Sequence, residues 1–349
     1  MGRHIRSGYP VVPAVLALLV AFAGTGVASA DDAGPAPIAA LTAAARSATD
    51  GSYLSGIAEG PGAGIDIQVW SAAMNSTITV KVLRAPDDSR PAPVLYLLNG
   101  ANGGTDDSSW TEQTDIAGFF AAKRVTVVVP MGGRGSYFTD WQSDDPILGR
   151  QRWTTFLTRE LPAVIDSTFH GTGAAAIAGI SMAGTSVFQL ALAAPGLYRA
   201  IGSYSGCAQT STPEGEAFVA AVVTRWAGNT ANMWGPFGNP AWAANDPYLH
   251  ADRLRGTAIY VSSGTGLAGP LDTLDGPGVN GNPGKLLAQL TSGGVLEAVT
   301  DQCAHALHDR LTELNVPATF AFRTLGTHSW GYWQQDLHDS WPMFAAALG

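Results

Sequence analysis

Residues 174–195, AAAIAGISMAGTSVFQLALAAP, hold a short apolar run, a Gly-Ile-Ser-Met-Ala turn and then a helix-forming stretch. Strand, tight turn and helix in that order make a nucleophile elbow, where a serine stands on the turn above the end of a sheet. Ser181 is that serine. Gly179 and Ala183 are small enough to let strand and helix approach closely, although Ala183 replaces the second glycine of the commonest form. The first amides of the helix, and its positive dipole end, would face whatever Ser181 attacks. A serine in this place is also a common helix N-cap, so a histidine and an acid elsewhere must decide between the two readings.

The rest of the chain repeats this alternation. IDIQVWS (65–71) and TITVKVL (77–83) alternate apolar and polar residues and predict an antiparallel hairpin. VLYLL (94–98) and VTVVVP (125–130) are continuous apolar runs, hence buried strands. Further strands are expected at 200–204, 257–262 and 318–323, and helices at 110–122, 152–168, 285–315 and 332–348. Pro162 should kink the second of these or mark a new start. The pattern implies an α/β-hydrolase fold, with a mostly parallel central sheet and helices on both faces. Residues 64–349 are expected to form one catalytic domain, and the Ala-, Gly- and Pro-rich segment 31–63 a flexible arm. The loops 228–250 and 264–284 read as walls of a site.

Residues 1–30 read as a cleavable leader: Arg3, His4 and Arg6, then an apolar run, then Ala28-Ser29-Ala30, with cleavage expected after Ala30. That assigns the protein to the cell envelope or the exterior. The formal charge of −9 becomes −11 without the two leader arginines. So acidic a surface argues against nucleic acid and against anionic lipid. Cys207 and Cys303 are the two cysteines, and in an exported chain an even pair points to a disulfide. No metal-binding motif is present, no cofactor is expected, and no protein partner is implied.

In open α/β sheets, reactive groups gather beyond the carboxyl ends of the strands. Ser181 satisfies that rule, as does the turn Asn99-Gly100-Ala101-Asn102-Gly103-Gly104 after the 94–98 strand. The amides of Ala101 and Met182 are the natural pair for an oxyanion hole, although such a turn is equally at home as a flexible loop. His328 follows the last strand and would serve as general base and then general acid. Two acids compete: Asp272, which follows the 257–262 strand, and Glu297 near a helix start. Topology alone favours Asp272.

GISMAGTS resembles the nucleophile segment of the secreted mycolyltransferases of the antigen 85 family, and GTHSWGYW resembles that family's histidine segment. VLYLLNGANGG, GGRGSYFTDW, YVSSGTG and GGVLEAV fall in the family's order, so the resemblance spans about residues 64–345. It implies that the acid is a helical glutamate about thirty residues before the histidine, which moves the assignment to Glu297. A Cys207–Cys303 bridge would then tie that helix to the core. The resemblance also marks departures. The family commonly has Asp, Leu and Arg where this chain has Asn99, Ala101 and Asn102, side chains that help trehalose to bind. Losing that carboxylate and guanidinium removes charge-assisted hydrogen bonds to sugar hydroxyls.

The resemblance leads to an acyltransferase that takes a mycolyl or similar long chain from a lipid-ester donor and passes it to a carbohydrate or other hydroxyl acceptor. Asn99, Asn102 and Trp330 are the expected substrate contacts, and tryptophans 226, 234, 242, 330 and 333 either wall the site or pack the core. The alternatives are a secreted carboxylesterase with the same three residues and, from another class, a non-catalytic envelope-binding protein on this fold.

Overall fold

The computed structural model describes residues 36–60, 64–87 and 89–349, which belong to one compact unit. The leader and its cleavage site lie outside the described residues. The strands are β1 (Tyr53–Glu59), β2 (Gly64–Ser71), β3 (Ser76–Leu83), β4 (Ala92–Leu98), β5 (Thr126–Pro130), β6 (Gly171–Ile180), β7 (Tyr198–Tyr204), β8 (Ala258–Gly264) and β9 (Thr319–Arg323). They form one sheet in the order β1-β2-β3-β5-β4-β6-β7-β8-β9. From β5 through β9 neighbouring strands run parallel, while β1, β2 and β3 join antiparallel at one side. This is the expected mostly parallel sheet, with β6, the strand that leads into Ser181, near its middle.

The central strands' side chains alternate between two apolar cores. Val94, Tyr96 and Leu98 of β4 enter one core, and Leu95 and Leu97 enter the other. Both faces of β4 are buried, which explains its unbroken apolar run. In β2 and β3 one face is only half buried, which explains their alternation. No helix among the described residues is long and apolar enough to cross a membrane.

The segment expected as a flexible arm carries a helix, Ile38–Ala44, and β1, which pairs antiparallel with β2. Its side chains are mostly exposed, so its order comes from backbone pairing on a sheet edge, and that leaves little trace in hydrophobic patterning. The helix expected over 110–122 is two short pieces, Trp110–Gln113 and Ile116–Phe120. The 152–168 helix contains a π segment, Phe156–Glu160, directly before Leu161–Thr168, where Pro162 occupies the first turn.

Candidate active site

Ser181 lies between the last residue of β6 and the first of the helix Met182–Ala193, with φ 55° and ψ −123°. That conformation is costly for a residue with a Cβ and is held by its surroundings. The Ser181 amide donates to the Tyr204 carbonyl at 2.9 Å, and the Gly184 amide donates to the Ser181 carbonyl at 2.9 Å. A Cβ on Gly179 would stand 2.6 Å from the Ala183 carbonyl oxygen, so the close strand–helix approach depends on a glycine there. Met182 opens the helix, and its amide has no carbonyl four residues earlier in the helix to bond. The Gly100 turn sits against the elbow, where a Cβ on Gly100 would lie 3.5 Å from the Ser181 Cβ.

His328 stands on the loop between β9 and the closing helix Trp330–Leu348. Its Nδ1 is 2.8 Å from Oε2 of Glu297. Glu297 is fully buried in the first turn of the helix Gly294–Glu313. Its Oε1 accepts from the Gly264 amide at 2.7 Å and the Ser205 hydroxyl at 2.9 Å, and that hydroxyl in turn accepts from Trp333 Nε1 at 2.9 Å. A carboxylate at Nδ1 fixes the tautomer with the proton on Nδ1 and an open lone pair on Nε2. Among the described residues, Nε2 has no hydrogen-bond partner. The hydroxyl-to-imidazole bond is therefore not closed, yet Ser181 and His328 line the same cavity of about 580 Å³.

Asp272 does not reach His328. It accepts from Gln289 Nε2 at 2.7 Å, the Gly269 amide at 2.8 Å and the Tyr332 hydroxyl at 3.0 Å, and it also accepts a hydrogen bond from Thr327. It braces the loop that presents the histidine. The resemblance identified the acid that contacts His328, and topology alone did not.

Asn99 departs from expectation. Its side chain is fully buried, its Nδ2 donates to the Pro130 carbonyl at 3.3 Å, and its Oδ1 accepts from the Trp110 amide at 3.1 Å. It ties the end of β4 to its neighbours and does not line the cavity. Asn102 does line it, but its amide is spent on the turn, donating to the Thr105 carbonyl at 2.9 Å and accepting from the Gly104 amide at 3.1 Å. Ala101 and Trp330 also line the cavity. Of the other tryptophans, 226 and 333 reach it, while 234 and 242 are buried against each other at a ring separation of 5.2 Å. Of the two loops expected to wall the site, 264–284 contributes Gly278 and Asn280, and 228–250 contributes no lining residue. Composition gave no sign of Arg225, Lys285 and Gln289, which also line the cavity.

Cys207 and Cys303 are bonded, with Cα atoms 5.0 Å apart. The Cys207 carbonyl accepts from Thr185 Oγ1 at 2.7 Å. The disulfide thus ties the Glu297 helix to the segment after β7, which a hydrogen bond joins to the helix that follows Ser181. Among the described residues no cluster of three or more His, Cys, Asp or Glu side chains is placed to hold a metal ion.

The family profile described as putative esterase matches residues 71–344. The chain is 33% identical over 293 residues to the diacylglycerol acyltransferase/mycolyltransferase Ag85A of Mycobacterium leprae (strain TN), covering 81% of this chain and 83% of that protein. It is 31% identical over 322 residues to the protein of the same description from Mycobacterium tuberculosis (strain ATCC 25618 / H37Rv), covering 89% of each. In fold it is similar to the crystal structure of Mycobacterium tuberculosis MPT51 (FbpC1), with a TM-score of 0.66 and 24% identity over 80% of this chain and 96% of that one. Fold and site together define an α/β-hydrolase with a serine at its elbow. The chain belongs to the putative esterase family and, within it, to the antigen 85 mycolyltransferases.

Proposed function

We propose that the protein is an exported serine acyltransferase that moves a mycolyl or similar long acyl chain from a trehalose-ester donor to a hydroxyl acceptor, through an acyl-enzyme on Ser181. The observation that carries this reading is the state of His328. One ring nitrogen is held by buried Glu297, and the other is unused in the cavity that Ser181 lines. The relatives' description as acyltransferases supports transfer as the reaction.

In this mechanism His328 Nε2 takes the Ser181 proton as Oγ attacks the donor ester carbonyl. Glu297 stabilises the imidazolium and keeps the ring oriented. The amides of Ala101 and Met182 hold the oxyanion. The imidazolium then protonates the departing alkoxide, leaving the acyl group on Ser181. An acceptor hydroxyl repeats the sequence in reverse. Transfer outruns hydrolysis to the extent that the cavity holds the acceptor and excludes water. Residues 64–349 carry this chemistry as one catalytic domain, and the leader directs export to the envelope or exterior.

A secreted carboxylesterase is the second reading. It is favoured by the Asn99–Asn102 turn, whose two amide side chains are both committed within the protein. The test is product analysis. Mature protein and Ser181→Ala are incubated with trehalose monomycolate, and the lipids are resolved by mass spectrometry. Trehalose dimycolate from the wild type alone is the expected result. Free mycolic acid alone makes the protein an esterase on that donor, and no product from either form overturns the mycolyl assignment.

A further inference from the structure

Arg323 ends β9, and its guanidinium lies between two carboxylates carried on different helices. One nitrogen hydrogen-bonds Asp336 of the closing helix. Nη2 stands 3.7 Å from Glu297 Oε1, which is long for a hydrogen bond and close for a charge interaction away from water. Glu297 is 0% exposed, Asp336 2% and Arg323 18%. Nε and Nη2 of Arg323 have no hydrogen-bond partner among the described residues. If this ion pair served stability alone, an apolar pair of similar volume would do as well or better. Its distinctive property is its position behind the acid that holds His328.

The groups facing Arg323 and Asp336 come from several elements. Glu297 approaches from its helix with His328 beyond it, Tyr332 comes from the closing helix, Tyr260 from β8 and Tyr204 from β7. Burial pushes all three tyrosines up, so they stay neutral near pH 7. The charges that count are therefore those of Glu297, Asp336, Arg323 and His328. Burial pushes the Asp336 carboxyl up to about 7, against the pull of the Arg323 charge.

We propose that the Arg323–Asp336 pair is a positioning device behind Glu297, whose net charge sets how strongly Glu297 stabilises protonated His328. This rests on the roles proposed above for Glu297 and His328. When Asp336 is ionised the pair is neutral, and the Glu297 charge acts on the imidazolium in full. When Asp336 is neutral, Arg323 opposes that charge, and His328 becomes the weaker base. Arg323 and Asp336 touch no substrate in this scheme and act only through Glu297.

The test is the pH profile of kcat/KM for hydrolysis of p-nitrophenyl butyrate. Below about pH 7 the wild type already carries Asp336 neutral, so Asp336→Asn should leave the acidic limb within about 0.2 pH units of its wild-type position. The double variant Arg323→Met/Asp336→Asn removes both charges, lets Glu297 act in full, and should move the limb up by about half a pH unit or more. A limb unmoved in the double variant, or moved equally in Asp336→Asn, overturns the proposal. If the double variant does not fold, the wild type decides by NMR titration of the His328 ring, assigned by its absence in His328→Gln. A curve with a second inflection near pH 7, from Asp336, is expected, and a single one-proton curve overturns the proposal. Undiminished hydrolysis by Ser181→Ala would sink the proposed function itself. An inactive Ser181→Ala with an unmoved limb in the double variant sinks only this inference.

Discussion

Asp272 and Thr327 are hydrogen-bonded one residue before His328, so the acid that does not touch the histidine still holds the loop that carries it. The two acids should therefore fail differently. Glu297→Gln removes the charge on Nδ1 and permits the wrong tautomer, and it should lower kcat by about 10³-fold or more with folding intact. Asp272→Asn should lower kcat by about tenfold at most, and it should destabilise the fold by about 1–3 kcal/mol through weakened buried hydrogen bonds. Steady-state kinetics and urea unfolding on both variants check this. Equal losses of activity would reopen the choice of acid.

Glycine 179 should be irreplaceable and glycine 118 dispensable. An added Cβ at 179 would overlap the Ala183 carbonyl, whereas at 118 it would meet open space within a short helix. Gly179→Ala should destabilise by about 1–3 kcal/mol and displace Ser181. Gly118→Ala should stabilise by about 0.5–1 kcal/mol. Denaturant midpoints read both, and fluorophosphonate labelling reports the state of Ser181.

The bond between Cys207 and Cys303 closes a loop across a sequence separation of 96. Reducing it, or replacing both cysteines by serine, should cost about 4–5 kcal/mol by the chain-entropy treatment. Activity should fall at temperatures where the sheet is still folded, because the same bond secures the Glu297 helix. Circular dichroism and ester hydrolysis, followed together with and without a reductant, show whether the two losses separate.

The buried carboxyl of Asp336 should give stability a distinctive slope. Its value is raised from 3.8 to about 7 in the fold. Between about pH 4 and 7 the folded chain keeps a proton that the unfolded chain has released. Stability from this group is therefore highest below that window, falls as pH rises through it by up to about 1.4 kcal/mol per unit, and is level above it. Urea unfolding at pH 5 and pH 7 should show a smaller difference in Asp336→Asn than in the wild type. An identical difference would remove Asp336 as its source.

What the sequence revealed depended on how local the cause was. The elbow was legible because three neighbouring constraints coincide within ten residues: an apolar strand, small residues at 179 and 183, and a helix start. His328 was legible from its place after the last strand. Its partner was not, because Asp272 and Glu297 both follow β8, and only tertiary docking decides which one reaches the ring. Asn99 looked like a ligand because it opens the cavity's turn, yet its side chain points into the protein. Tryptophans 234 and 242 could wall the site or pack the core as far as sequence tells, and they pack inward. The Arg323–Asp336 pair was missed although one signal existed. Asp336 falls on the closing helix's buried stripe, with Tyr332, Trp333, Leu337, Ser340 and Phe344, where a solvated aspartate has no place.

The sheet order puts Ser181 at the end of an interior strand and hangs His328 from β9, the outermost strand on its side. Edge elements open at lower free-energy cost than central ones. Ser181 and His328 therefore differ in how firmly the sheet holds them: in the proposed mechanism the nucleophile should persist as long as the sheet does, while its base should depart with the first fraying of the rim. A partly opened molecule would still present a serine, but an inert one with nothing to accept its proton. Catalytic competence, so read, would report on the integrity of the chain's weakest border, and a damaged copy would fall silent before it unfolds.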